Sequence, residues 1–494
     1  MWKSFRIFTS DSIRPGAYWC LIIATLCVQV ILIWSTRYLP LIDNPTNLAN
    51  AYILHANGLV SVLHGSYKIQ LLPIPNLGFY LIVTPLLSIV PAEVAMKIFV
   101  SIILVLFGVG CHALGRAIHK QCLWSVLVCT WFSISVPLFW GFVNYLLGVA
   151  LFMLTLSAWL NWRDRWSIFR SLAVIGLGIS CYLSHLSSWV FLAIALIVWS
   201  WSDFHKGMPI LKIVTSAALP LVPPALLFFI FMRRSGSTGK ISYGSLYEKL
   251  AGLFSPIADY QHTHLLILIA LFASSGILFF RSMIYVKFQM EPLMIGLIFA
   301  LAYWLCPSVL FTSWAADLRF VIPAGVLLLL CVESQFRPGR ATVAISLILF
   351  VFLLRMVSIH YSWTRLSAKS ERALQTLDLL PEQSRLLVLK GKTSDISWQE
   401  AAFFEALPVW AVLTRNADVS SHRPQFEQHP VARVDSSYYV PLQDTTTPAA
   451  VNWAKVSSYD FIWSYRTDAK FRRELDWRYV LVYQDEDVRL YRIH

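Results

Sequence analysis

Charge is scarce in this chain of 494 residues: Asp, Glu, Lys and Arg make up 14% of it, against about 25% in an ordinary soluble domain. Mean hydropathy is +0.61, so a water-soluble fold is excluded for most of the chain. Cysteine offers no paired motif. Cys20, Cys27, Cys111, Cys122, Cys129, Cys181, Cys306 and Cys331 lie in or beside apolar segments, without a Cys-x-x-Cys pair, and read as small hydrophobes. A Walker A loop, a His-Glu-x-x-His helix and a Ser-His-Asp arrangement are all missing, which removes the chemistries those motifs carry. Acids inside apolar runs are confined to Glu93 and Glu333, both near run ends, so no intramembrane proton relay is laid out. There is no internal repeat and no low-complexity tract.

What is present is apolar and basic. Hydrophobic residues make up 57%, and 40 Lys and Arg against 27 Asp and Glu give a net charge of +13. Residues 359–494 hold 17 basic and 17 acidic residues, whereas the first 358 hold 23 and 10. The excess therefore punctuates apolar runs, as in a polytopic membrane protein with positive-inside loops. No basic run resembles a nucleic-acid tail, and no nucleic-acid partner is expected.

A membrane helix needs about 20 mainly apolar residues. Spans are expected near 17–36, 94–115, 121–137, 145–160, 170–186, 188–202, 209–232, 264–280, 292–311, 320–334 and 341–358. The run 77–91 is short and bracketed by Pro73, Pro75 and Pro91, and reads as re-entrant or interfacial. Lys3, Arg6 and Arg14 precede the first span, placing the N-terminus in the cytoplasm. With 77–91 not crossing, the groups Arg116/Lys120, Arg163/Arg165/Arg170, Lys206/Lys212, Arg281/Lys287 and Arg337/Arg340 all fall inside. The fold class is an α-helical polytopic membrane protein of about 11–13 spans over residues 1–358. Loops 37–76, 138–144, 185–188, 233–263 and 312–319 are then on the outer side, with the tail.

The tail, 359–494, reads as a small extracytoplasmic α/β domain. Strands are expected at Arg385–Lys390, Tyr459–Ser464, Trp477–Tyr483 and Val488–Ile493, with helices at Trp398–Leu413 and Ala469–Leu475. Helices alternating with strands imply a sheet with a covering layer.

The polar residues of the outer loops carry what chemistry there is. Asp43 is the only acid between Asp11 and Glu93. From Thr46 the pattern turns helical, with Leu48, Ala51, Tyr52 and His55 at i, i+3, i+4 and i+7. An Asp just before a helix on the membrane surface suits a general base; it, Asn44 or Thr46 could equally cap that helix. Asn144, in Trp140-Gly141-Phe142-Val143-Asn144, is a substrate contact or part of a tight interfacial turn. His185 is a phosphate or metal ligand or a packing residue. Arg233, Arg234 and Lys240 break the positive-inside trend, among exposed Ser, Thr and Gly, and suit an anion or lipid headgroups. Asp317 and Arg319 at a span edge suit a lipid-linked phosphate, with Asp317 orienting Arg319, or a structural pair. The other basic residues on the outer face are Arg37, Lys68, Lys249 and Arg355.

These features together resemble the GT-C family of integral-membrane glycosyltransferases. The residues that carry the resemblance are Asp43-Asn44-Pro45-Thr46-Asn47-Leu48-Ala49, Trp140-Gly141-Phe142-Val143-Asn144 and Asp317-Leu318-Arg319-Phe320. The first looks like the acid-containing first loop of bacterial polyprenyl-phosphate-sugar mannosyltransferase-like proteins. The resemblance implies transfer of a sugar from a polyprenyl-phosphate donor at the outer face, with Asp43 as general base. His55, Asn144, His185, Arg233, Arg234, Lys240, Asp317 and Arg319 are the candidates for substrate binding. Glycan, lipid and protein remain open as acceptor. Many members carry paired acids in the first loop; here Asp43 is followed by Asn44, so a divalent cation is not assigned. The expected location is a bacterial inner membrane. A flippase for a lipid-linked saccharide and a non-catalytic subunit of an envelope polysaccharide system are the other readings.

Overall fold

The computed structural model describes residues 15–493, apart from 57–60, 71, 120–123, 234–239, 259–272, 275, 278–280, 282, 312, 337–339, 392–396, 423, 425–427 and 435–446. The chain forms two compact units.

The first unit takes residues 1–34, 100–138 and 143–360 and is helical. Among the described residues of both units together, five helices are long and apolar enough to cross a membrane, and six further apolar helices are shorter. This is an integral membrane protein, as the hydropathy implied. Small residues let helices approach closely. A Cβ on Gly148 would sit 2.2 Å from the Ser188 Oγ, which fixes the crossing of Val143–Trp162 with Leu186–His205.

Three expected spans take other forms. The run 121–137 breaks into Trp124–Thr130, a 3₁₀ turn at Trp131–Ser133 and Val136–Phe139. The buried Arg355 guanidinium donates to the Trp131 carbonyl at 3.5 Å and to the Ile134 carbonyl. It thereby satisfies backbone that the broken helix leaves open. The run 320–334 is helical only to Leu330, and Val332–Phe336 pairs antiparallel with Met283–Phe288. The run 292–311 forms the helix Met290–Leu305 and then the strand Val309–Phe311, paired with Lys240–Ser242. The run 264–280 falls mostly outside the described residues.

The second unit takes residues 35–99, 139–142 and 361–494. The first loop thus packs with the tail. Its sheet runs in the order 480–484, 488–492, 461–465, 385–390, 418–419. Phe461–Tyr465 lies parallel to Arg385–Lys390 and antiparallel to Val488–Arg492. Leu387, Leu389, Ile462, Phe471, Leu475 and Tyr491 form the core against it. The four strands expected from alternation are present within a few residues. The helix expected over Trp398–Leu413 splits into Trp398–Ala406 and Trp410–Arg415 around Pro408. The helix of the last expected span, Arg340–Gln375, runs 17 residues past the expected span end at 358. Its buried positions Ile359, Trp363, Leu366, Ser370 and Ala373 keep helical spacing.

Within this unit the first loop forms the helix Asn44–His55, the strand Tyr67–Ile69 and the helix Leu77–Leu86. Ten helical residues reach about 15 Å, half the roughly 30 Å of a bilayer core, so Leu77–Leu86 cannot cross alone. Tyr67–Ile69 pairs with Val431–Arg433, a pairing that three-residue strands give no sequence signal for.

Candidate active site

Asp43 sits at the N-cap of Asn44–His55, but its side chain makes no capping bond. Among the described residues its carboxyl has no hydrogen-bond or ion-pair partner. Burial pushes this carboxyl up to about 7, while the residue keeps part of its surface open. A carboxyl that titrates near neutrality, at the head of a fixed helix, has the properties of a general base.

The backbone around Asp43 is tied down on both sides. Its N–H donates to the Trp140 carbonyl at 3.0 Å, and the Ile42 N–H to the Phe139 carbonyl at 3.0 Å. Its carbonyl accepts from the Asn47 N–H at 2.9 Å. Gly141 has φ +86°, a region that favours glycine, and a Cβ there would lie 2.8 Å from the Asp43 nitrogen. Residues 139–142 thus belong with Asp43, through Gly141 and the carbonyls of Phe139 and Trp140. The sequence reading names Asn144, just beyond that stretch; the signal within it is the glycine at 141, which the positive φ requires.

Asn44 stands where a second acid was looked for. It is buried, and its Nδ2 donates to the Leu39 carbonyl at 3.2 Å. Among the described residues no three His, Cys, Asp or Glu side chains lie close enough together to hold a metal ion. His55 is on the last turn of the same helix, exposed, with Nδ1 3.5 Å from the Ser88 Oγ.

The first unit holds the remaining candidates. Asp317 is buried, and its carboxylate receives Lys249 Nζ at 2.6 Å. Lys249 also donates to the carbonyls of Tyr303 at 2.9 Å and Cys306 at 2.7 Å, and lies over the Tyr303 ring. Asp317 was expected to orient Arg319; its ion-pair partner is Lys249, which sequence alone had ranked only as an outer cation. The charge pair closes over 68 residues, with no local pattern to reveal it.

Arg319 is half-buried on the 3₁₀ turn Leu318–Phe320. Its guanidinium donates to the Ser313 Oγ and to the Trp314 carbonyl at 3.3 Å. The Tyr145 hydroxyl donates to the Arg319 carbonyl at 2.8 Å, and the Tyr145 ring meets the His185 ring edge-to-face at 5.7 Å. His185, Tyr145 and Arg319 therefore form one cluster. His185 caps the helix Leu186–His205: its Nδ1 accepts from the Ser187 N–H at 3.2 Å. Asn144 opens the helix Val143–Trp162 beside Tyr145, half-buried. Arg233 is exposed with its guanidinium over the Phe229 ring at 4.4 Å. Arg234 lies outside the described residues; Lys240 is described only through its backbone, as the first residue of its strand.

No protein-family model matches the sequence, and no curated protein matches it. Solved structures do match. In fold the chain is similar to ArnT. ArnT from Cupriavidus metallidurans in the apo state aligns with a TM-score of 0.53 at 11% identity, over 96% of this chain and 97% of that one. The structure of ArnT from the same organism bound to undecaprenyl phosphate aligns with a TM-score of 0.49 at 11% identity, over 97% and 98%. The likeness runs through both units. The resemblance to GT-C glycosyltransferases is met at the level of fold.

Proposed function

We propose that this chain is a membrane glycosyltransferase that takes its sugar from a polyprenyl-phosphate donor at the extracytoplasmic face, with Asp43 as the general base. The observation that carries the proposal is the Asp43 carboxyl. It heads a helix without capping it, has no partner among the described residues, and titrates near 7. The ArnT-like fold supports the same reading.

The chemistry balances with the chain's own groups. The Asp43 carboxylate takes the proton of the acceptor's nucleophilic group. The acceptor's electron pair forms the new bond to the anomeric carbon. The bond from that carbon to the phosphate oxygen breaks, and its electron pair leaves with the lipid phosphate. That phosphate gains negative charge, which a cationic side chain stabilises. The sugar arrives already activated on lipid, so no nucleotide-binding fold is needed. The lipid tail suits an apolar membrane unit.

The test uses the full chain in nanodiscs with a panel of undecaprenyl-phosphate-linked hexoses and pentoses and a glycolipid extract as acceptor. Release of undecaprenyl phosphate with formation of a new glycoside is the expected result. Asp43→Asn is expected to lower it about 100-fold or more while leaving insertion unchanged. Turnover within a few-fold of the parent in that variant, or no chain-dependent release from any donor, overturns the proposal.

A further inference from the structure

A chain of buried polar side chains crosses the second unit and meets the Asp43 helix at Asn50. His422 is fully buried, with Nε2 3.0 Å from the Asn50 Oδ1 and Nδ1 3.0 Å from the Tyr67 hydroxyl. Asn50 is also fully buried, and its Nδ2 donates to the Tyr80 hydroxyl at 3.3 Å. The Tyr80 hydroxyl lies 2.8 Å from the His429 Nδ1.

The proton positions follow from the partners. Asn50 Oδ1 can only accept, so His422 Nε2 carries its proton. Burial, with Arg433 nearby, keeps the His422 imidazole neutral by pushing its pKa well below the usual range. Nδ1 is then an acceptor for the Tyr67 hydroxyl at 3.0 Å, and the Asp418 carboxylate is the hydroxyl's second, longer acceptor at 3.4 Å. Tyr80 receives from Asn50, so its own proton goes to His429. Every member has a defined role, which is the condition for a buried polar network to rigidify its surroundings.

The far end is anchored by charge. Arg433 and Asp418 form a buried ion pair at 2.7 Å. Arg433 also donates to the Tyr67 hydroxyl at 3.2 Å and to the carbonyls of Val419 at 2.9 Å and His422 at 3.2 Å. The Ser66 hydroxyl donates to Asp418 at 2.9 Å. At the near end the Thr46 backbone also bonds the His422 ring. Thr46 and Asn50 are one turn apart, and Asn50 lies two turns, seven residues, from Asp43 on the same helical face.

We infer that His422, bridging Asn50 and Tyr67, is a positioning residue that fixes the helix Asn44–His55 and so sets where the Asp43 carboxylate stands. The inference rests on the reading of Asp43 as the base. The backbone bonds at Ile42 and Asp43 hold the start of this helix, and apolar packing alone would leave the rotation of its later turns loosely specified. The hydrogen bond from His422 to Asn50, fixed in direction, removes that freedom. A displacement of about 1 Å at a reacting group costs on the order of 100-fold in rate.

The experiment compares the full chain with His422→Ala, His422→Gln, Tyr80→Phe and Asp43→Asn in nanodiscs. Infrared difference spectra against Asp43→Asn give the titration midpoint of the Asp43 carboxyl without any substrate. Turnover with the undecaprenyl-phosphate-linked sugar panel gives kcat and KM. His422→Ala is expected to move the midpoint about one unit or more toward the ordinary carboxylate value. It should lower kcat about tenfold to a hundredfold with donor KM within about twofold. His422→Gln keeps one donor and one acceptor and is expected to restore both. Tyr80→Phe removes only a hydroxyl, so it keeps the test open should His422→Ala fail to fold; a smaller shift of the same sign is expected. An unchanged midpoint and kcat in whichever of His422→Ala and Tyr80→Phe fold overturns the inference. If instead Asp43→Asn retains turnover, the base assignment falls, and a midpoint shift in His422→Ala still establishes the strut.

Discussion

Gly141 lies against Asp43 so closely that a methyl group on it would sit 2.9 Å from the Asp43 Cβ. The backbone of residues 139–142 and that of the acid are built as one piece, locked by two hydrogen bonds of 3.0 Å. Gly141→Ala is therefore expected to act on Asp43 directly. The left-handed φ costs an L-residue about 1–2 kcal/mol, and the clash forces Asp43 to move. Turnover should fall about tenfold or more, with membrane insertion and donor affinity retained. A Gly141→Ala chain that turns over at the parent rate removes this coupling.

The raised Asp43 carboxyl sets the pH dependence. Only the carboxylate can accept a proton, so the rate should rise with pH along an acidic limb centred near 7, where an ordinary Asp would give about 4. A pH–rate profile of kcat checks this. A limb centred near 4 would mean that the acid is not held as found.

The same shift has a stability sign. The native carboxyl holds its proton up to about 7, whereas in the unfolded chain it is lost near 4. The stabilisation is complete below about pH 4 and is lost as pH rises through about 7. Asp43→Asn carries no such titration. Its thermal midpoint is expected to gain on the parent steadily between pH 4 and pH 7.5, in paired melts in one detergent.

Lys249 and Asp317 test a different economy. Both side chains are over nine-tenths buried and 2.6 Å apart. Removing one partner strands a charge and costs about 3–5 kcal/mol. Lys249→Met and Asp317→Asn should each lower the thermal midpoint strongly. The double variant should recover much of it, because Asn can still accept from the Leu318 N–H that Asp317 caps at 2.9 Å. A double variant at least as unstable as the worse single contradicts a pair held by mutual charge.

Arg319 should answer to lipid phosphate alone, without sugar. Arg319→Ala is expected to weaken undecaprenyl phosphate binding about tenfold or more in nanodiscs, and Arg319→Lys less. The sugar-free lipid separates phosphate recognition from transfer. Affinity within twofold of the parent in Arg319→Ala moves the phosphate elsewhere.

Local periodicity was enough for most elements. Alternation located the strands Arg385–Lys390 and Val488–Arg492, and hydropathy located the crossing helices. Asp43 stood out because acids are so rare before residue 93. What stayed hidden depends on partners distant in the chain. Tyr67–Ile69 is three residues long and becomes a strand only because Val431–Arg433 pairs with it. Asn50 and His422 are 372 positions apart, and Lys249 and Asp317 are 68 apart. Each is an ordinary polar residue until the fold supplies the other. His185 also gained a local task that the sequence reading had not given it: its ring nitrogen closes a helix end.

The pairing of Tyr67–Ile69 with Val431–Arg433 also fixes an order of events at the ribosome. Tyr67 and Arg433 are 366 residues apart, and synthesis proceeds at about 5–20 residues per second. For roughly 20–70 seconds after the first loop leaves the ribosome, neither the partner strand nor His422 yet exists. The segment bearing Asp43 waits incomplete through the making of the whole helical region. The first loop therefore gains its strand partner and its bond to His422 only when translation is nearly finished.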